Sequence, residues 1–357
     1  MAQRQSKQLR AFSFLLIVVF LFLSASIGIS ALSTPTVESG KYQNLRLTVG
    51  GVPFGVKFIT EGVLIVGMSD IPTKNGTKNP AREAGLRVGD RILKLSGQTI
   101  LSASELAEIV SKNGAKAMEV IYVRAGKEQS LMLTPVYSDK EARYVTGIYV
   151  RDSGAGIGTL TFVCPQTGAF AGLGHGICDA STGKPIPMQR GSVVDVKISG
   201  IVKGLSGAPG EVKGYFSSGK TGTLLGNTEC GVYGVLANIP KNLGEPIPVG
   251  LRNEVKAGKA TILCTFDDGI RREYGIEISE IQRDATGNKC FTVKVKDASL
   301  LSKTGGIIQG MSGSPIIQNG KLVGAVTHVL INDPTTGYGI FIENMLNAAQ
   351  MPMQKAA

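Results

Sequence analysis

What the chain lacks narrows its chemistry first. Tryptophan is absent, and only two histidines, His175 and His328, occur in 357 residues. Any step that needs an imidazole therefore has two candidates. The five cysteines, Cys164, Cys178, Cys230, Cys264 and Cys290, are odd in number, and no two stand in a C-x-x-C spacing. That removes the zinc-knuckle pattern. His175 and Cys178 stand three apart and would make half a metal site, but no second pair answers them, so neither a metal nor any other cofactor is expected. The net charge is +11, yet no basic run interleaves with aromatics. Nucleic acid is therefore not an expected partner, and attraction to an anionic membrane face is the better inference. Glycine, by contrast, is plentiful at 47 residues and shows no G-X-Y period. It reads as turns between many short strands. With 43% hydrophobic and 18% charged residues, the chain has material for a large core and is not disordered.

The N-terminus is a targeting signal. "MAQRQSKQLR" carries Arg4, Lys7 and Arg10, and "AFSFLLIVVFLFLSASIGISALS" follows without a charge. A basic flank before an apolar stretch is read by the export machinery, and the uncharged run matches the ~20 residues of a spanning helix. Residues 1–33 are expected to be a signal peptide or an uncleaved membrane anchor, and residues 34–50 a linker. The rest of the chain then works outside the cytosol. Buried free thiols are the plain reading of the cysteines, although export leaves disulfides open.

Residues 51–136 read as one α+β unit. "GVPFGVKFITEGVLIVGM" alternates as a strand pair, Ser102 and Glu105 make an S-x-x-E capping box before "ELAEIVSK", and "AMEVIYVRAGKEQSLMLTPV" closes with two strands. "AGLRVGDRILKLSGQTI", with Gly85, Gly89, Asp90 and Gly97, resembles bacterial PDZ domains. Such a domain captures a peptide by adding it as a strand to a sheet edge. The resemblance implies a groove with Gly55, Val56, Lys57 and Phe58 on the edge strand and Leu106, Ile109 and Val110 on the helix. The alternative for those apolar helix residues is core packing. "SDIPTKNGTKNP" (69–80) is a polar insertion beside the expected groove.

From residue 137 to the end, short apolar or alternating strands are separated by Gly, Asn and Asp turns, which predicts a barrel or a pair of barrels. One turn stands out, the "QGMSGSP" of "GGIIQGMSGSPIIQNGKLVGAVTHVLIND". A hairpin needs its glycines but not Ser312. A serine hydroxyl becomes a nucleophile only with a base and with donors for the oxyanion. His175, glycine-flanked in "GAFAGLGHGICD" and 137 residues upstream, stands where a chymotrypsin-like double barrel places its base. The N–H groups of Gly310 and Ser312 would form the oxyanion hole. Thr327 and His328 follow on the strand that lines the pocket for the side chain before the scissile bond; a half-buried strand histidine is the alternative for His328. Spacing alone does not choose the third member among Asp179, Asp195, Asp267, Asp268, Asp284 and Asp297. The expected class is mainly β, a PDZ domain followed by a chymotrypsin-like peptidase domain at 137–357.

"GGIIQGMSGSPIIQNGKLVGAVTHVLINDPTTGYGIFIENML", "IYVRDSGAGIGTLTF" and "GLGHGICD" together resemble the PDZ-containing serine peptidases of the stage IV sporulation protein B family of endospore-forming bacteria. The resemblance runs over nearly the whole chain, and the order of PDZ domain before peptidase differs from that of HtrA-type proteases. It implies an enzyme exported from the forespore to the intermembrane space. There it cleaves itself and then the extracytoplasmic part of a membrane-bound regulator, which triggers intramembrane proteolysis and activates the late mother-cell sigma factor. It further implies a PDZ ligand, the enzyme's own N-terminal region among the candidates, and it assigns the acid to Asp297, fifteen residues before the serine. That position sits awkwardly with a double barrel, whose orienting acid belongs to the first barrel. The rival reading is a non-catalytic exported PDZ scaffold; a Cys178 thiol enzyme lacks a glycine-framed cysteine turn.

Overall fold

A computed structural model describes residues 41–349 apart from 75, 180–182 and 242. The expected leader at 1–33 lies outside the described residues, as do residues 34–40 of the expected linker. Two closed six-stranded antiparallel barrels make up the peptidase part. The first runs Pro53–Met68, Ile148–Val163, Ala169–Gly172, Gly231–Leu236, Glu211–Thr228 and Met188–Val202, and the last pairs back onto the first. The second is built from Gly258–Thr265, Arg271–Ser279, Phe291–Val295, Asp333–Phe341, Lys321–Leu330 and Pro315–Gln318. The mainly β, double-barrel class expected from the regular short strands is the one observed.

Alternation explains each barrel's interior. In Gly258–Thr265, Ala260, Ile262 and Cys264 turn inward, while in Phe291–Val295 the inward set is Phe291, Val293 and Val295. Side chains two apart on a strand share a face, so these sets fill one core. Phe54, Val56, Phe58, Leu160, Phe170 and Val193 fill the first barrel in the same way.

The PDZ part is not a leading domain but an excursion from the first barrel, and here the expected boundaries at 51 and 137 are corrected. Strand Pro53–Met68 spends its first half in the barrel, between Ile148–Val163 and Met188–Val202. Its second half leaves the barrel and pairs with Arg91–Leu95 of the PDZ sheet. Ile148–Val163 makes the return journey, pairing Ile148 with Met68 at the PDZ end and Thr159 with Pro53 at the barrel end. Gly62 sits where the outgoing strand changes partners, at φ +71°; a Cβ there would lie 2.3 Å from the carbonyl oxygen of Ile92. A side chain would be both strained and blocked.

The expected linker is corrected from Tyr42 onward. Tyr42, Leu45, Leu47 and Val49 belong to the core shared with the second barrel. Strand Arg46–Val49 pairs with Ile148–Val163, and the Tyr42 hydroxyl donates to Asn347 Oδ1 at 2.9 Å.

Within the PDZ part the expected helix cap forms, with its return bond going to Leu101 and not to Ser102. Ser102 Oγ accepts from the Glu105 N–H, and a Glu105 carboxylate oxygen takes the N–H of Leu101. The two pin the start of helix Ala103–Asn113, a cap of the kind that contributes about 1 kcal/mol. The polar insertion folds as a small hairpin, Ile71–Thr73 against Gly76–Lys78.

Candidate active site

Ser312 and His175 face one cleft of about 800 Å³ between the barrels. Each arrives on a tight connection. His175 follows strand Ala169–Gly172 through Leu173 and Gly174, both at positive φ. Ser312 sits in the turn before Pro315–Gln318.

The nucleophile turn is held by the opposite barrel. Thr159 Oγ1 donates to the Gly310 carbonyl at 2.8 Å, Thr161 Oγ1 to the Gly313 carbonyl at 2.7 Å, and the Thr159 N–H to the Ser312 carbonyl at 2.9 Å. With those carbonyls turned towards the first barrel, the N–H groups of Gly310 and Ser312 have no protein acceptor among the described residues. That is the state an oxyanion hole requires. Gly310 has φ +99°, and a Cβ on it would press to 2.9 Å from Val212 Cβ. Val212 comes from the first barrel's long hairpin, whose Val212 N–H donates to the Gln309 carbonyl and whose Gly210 carbonyl accepts from the Gln309 N–H.

Thr159 and Thr161 are the functional residues that sequence reading missed. Their signal was present as two threonines two apart in "GIGTLTF", hence on one face of a strand. Nothing in the sequence says that the face meets the serine turn.

At rest the Ser312 hydroxyl donates to the Thr327 carbonyl at 2.8 Å, and no hydrogen bond joins it to His175. The bulge between Val326 and Val329 in the pairing of Lys321–Leu330 with Asp333–Phe341 falls at this carbonyl. His175 Nδ1 lies 2.8 Å from the Gly176 carbonyl. Burial holds the His175 imidazole below the ordinary histidine range, with the Gly176 carbonyl opposing. It is therefore neutral, and so basic, near pH 7.

Thr327 and His328 both line the cleft with Ser312. The His328 ring centre lies 4.9 Å from that of His175, tilted by 38°. Burial first, then His175 and Lys289, push the His328 imidazole down to about 4. Cys178 and Glu229 also line the cleft. Burial and Glu229 push the Cys178 thiol up, which is the wrong direction for a thiolate nucleophile. No disulfide joins the five cysteines in the structure; Cys164, Cys264 and Cys290 are buried and Cys178 is exposed. Among the described residues no three ligating side chains gather into a metal site.

Asp297 is not brought to His175, and its expected place as third member is corrected accordingly. It caps helix Ala298–Thr304: Oδ1 accepts from the N–H groups of Ser299 and Leu300 and from the Ser299 hydroxyl, and Oδ2 faces the N–H of Gly275 at 3.4 Å. The Ser299 hydroxyl first, and then these N–H groups, hold its carboxyl below the usual range against the opposing effect of burial. With both oxygens engaged, it steadies the helix that leads through Gly305 into the nucleophile turn.

The expected peptide-binding edge is corrected as well. Gly55, Val56, Lys57 and Phe58 lie inside the first barrel, paired on one side with residues 154–157 and on the other with residues 191–194, so no ligand strand can be added there. Leu106 and Val110 are buried in the PDZ core, and Ile109 packs partly against it. The sheet edge beside helix Ala103–Asn113 is instead the start of Ile148–Val163, whose partner on its other side is Pro53–Met68. A cavity of about 220 Å³ lies there, lined by Leu106, Val110, Tyr144, Ile148 and Tyr149.

Against known proteins, the chain matches the PDZ domain family over residues 77–124. It is 35% identical over 72 residues to the "Probable protease eep" of Enterococcus faecalis, covering 20% of this chain and 17% of that protein. It is 31% identical over 100 residues to the "Serine protease HTRA1" of Xenopus laevis, covering 28% and 19%. The matched stretch thus spans less than a fifth of either relative. Among solved structures, the active form of the Rv3671c protease from M. tuberculosis is similar at 16% identity and a TM-score of 0.32, over 57% of this chain and 78% of that one. Residues 142–346, more than half of the chain and inclusive of His175 and Ser312, match the family described as SpoIVB peptidase S55. The chain belongs to that family, and it is a serine peptidase that carries a PDZ domain.

Proposed function

We propose that the protein is an exported serine endopeptidase of sporulation. It cleaves itself and then the extracytoplasmic part of a membrane-bound regulator, and that cut triggers intramembrane proteolysis and activates the late mother-cell sigma factor. The observation that carries the proteolytic step is the facing pair of Ser312 and His175 above two unengaged N–H groups. Family membership and the basic-then-apolar N-terminus support the setting, a forespore-exported chain held at or in a membrane.

The reaction is acyl transfer. The Ser312 hydroxyl leaves the Thr327 carbonyl by a side-chain rotation, and His175 takes its proton as Oγ attacks the peptide carbonyl. The N–H groups of Gly310 and Ser312 receive the oxyanion. His175 then hands the proton to the departing amine, and water releases the acyl group with His175 again as base. The Gly176 carbonyl at Nδ1 fixes the tautomer that leaves Nε2 free to accept. The PDZ domain takes a peptide, its own N-terminal region or a partner's, and so restrains where and when the cut falls.

Self-cleavage tests this. Residues 34–357 of the wild type, Ser312→Ala and His175→Ala are incubated and their N-terminal fragments followed by mass spectrometry. Trimming of the wild type alone supports the proposal. If all three stay intact and a fluorophosphonate probe leaves Ser312 unlabelled, the proposal fails.

A further inference from the structure

The two walls of the cleft differ in charge. The first barrel contributes Glu229, near Cys178, and the second contributes Lys289. The Lys289 ammonium stands 5.1 Å from the centre of the Tyr338 ring. Among the described residues no carboxylate pairs with it. Beside it is His328, whose Nδ1 is sealed from solvent with no hydrogen-bond partner, whereas Nε2 is not sealed.

A buried N–H without an acceptor is costlier and rarer than a buried acceptor without a donor. The ring proton of neutral His328 therefore belongs on Nε2, and the residue presents a donor towards the opening. Its position is set by the chain. Thr327, the preceding residue, holds the Ser312 hydroxyl through its carbonyl at 2.8 Å, so His328 is one residue from the point of attack. A neutral imidazole donor and an unpaired ammonium on one wall leave a place suited to an anion. Glu229 shares the cleft, its backbone carbonyl accepting from the Asn288 side-chain amide at 2.7 Å, and among the described residues its carboxylate makes no ion pair with Lys289.

We propose that the cleft selects an acidic side chain in its substrate, glutamate or aspartate, on the N-terminal side of the scissile bond, with its carboxylate received by His328 and Lys289. This goes beyond the proteolytic reading and rests on it. Selectivity arises because a carboxylate accepts a charge-assisted hydrogen bond from the imidazole and neutralises the lysine, whereas the isosteric amide brings no charge.

The test uses the full chain and a set of fluorogenic peptides. Each carries Glu, Gln, Asp, Asn, Leu or Lys in turn at the three positions before the cut, and fluorophosphonate labelling counts active Ser312. At one position the acid should exceed its own amide by about ten-fold or more in kcat/KM. That ratio should fall close to one in His328→Gln and by a few-fold in Lys289→Gln, whose exposed side chain makes misfolding no concern. Equal rates for acid and amide at every position, with Ser312 labelled, overturn the selectivity and leave the peptidase standing. A ratio that survives in both variants removes the carboxylate from this wall and overturns the assignment. If no peptide is cut and Ser312 is unlabelled, the proteolytic reading falls and the selectivity falls with it.

Discussion

Ser312 and His175 sit at the tips of glycine-framed turns that face each other, yet the turns are held in opposite ways. The serine turn is fastened from outside itself: two hydroxyls and a backbone N–H of strand Ile148–Val163 take three of its carbonyls, and the long hairpin ending at Val212 braces Gln309. The histidine ring has one hydrogen bond among the described residues, to the carbonyl of the next residue, and otherwise a ring contact with His328 of the second barrel. The difference shows where each barrel's precision is spent. One barrel positions the nucleophile of the other in advance, whereas among the described residues no carboxylate hydrogen-bonds the base.

The sharpest test of that contrast is removal of either tip. Ser312→Ala and His175→Ala should each lower peptide turnover by about three orders of magnitude or more while leaving thermal unfolding near that of the wild type. Fluorogenic assay beside calorimetry measures both. Next in size is the fastening itself. Thr161→Val leaves the buried Gly313 carbonyl without its donor, which should cost about 1–3 kcal/mol of stability and about ten-fold in kcat. Thr161→Ser should restore most of both, and a Val variant with unchanged turnover would break the comparison.

Asp297 gives a smaller effect of a different kind. As a helix cap, Asp297→Ala should lose about 1 kcal/mol by denaturant unfolding, and Asp297→Asn or Asp297→Ser should act nearly as wild type. An orienting acid would behave otherwise, with Asp297→Asn losing about four orders of magnitude. The smallest effect is in pH. Protonated His175 cannot accept the serine proton, so kcat/KM falls on the acid side as His175 charges. Because burial holds that imidazole low, the half-point should lie below the ordinary histidine value of about 6.5. His328, at about 4, stays neutral through this limb. A half-point above 7 in a pH–rate profile would contradict the buried setting of the ring.

Much of this was legible in the sequence, but unevenly. The capping box at Ser102 and Glu105, the alternation in Phe291–Val295 and the glycine frame of Ser312 are local patterns, and local physics determines them. Partner choice is not local. Residues 51–68 read as a strand pair, whereas they form the single strand Pro53–Met68; a period of two shows which side chains share a face but not where a strand ends or which strands lie beside it. The pattern therefore points to Gly55–Phe58 as a groove edge, although those residues belong to the barrel. Asp297 failed for a related reason: an aspartate two and three residues before Ser299 and Leu300 carries the same letters whether it caps a helix or orients a histidine. Only the geometry around it distinguishes the two.

The two strands that pass from barrel to PDZ domain also bear on how the protein folds. Ile59 and Ser153 stand opposite each other in the sheet, so roughly ninety residues separate two points that end about 5 Å apart. Bringing such points together from an unfolded chain carries a loop-closure entropy about 3 kcal/mol larger than for a tight turn. If the excursion folds first, its own sheet brings those strands side by side, and the long loop shortens to a hairpin before the barrel closes. The PDZ domain then serves the peptidase as an intramolecular template for assembly, and lesions in its core should slow the appearance of a reactive Ser312 during refolding even where no peptide is bound.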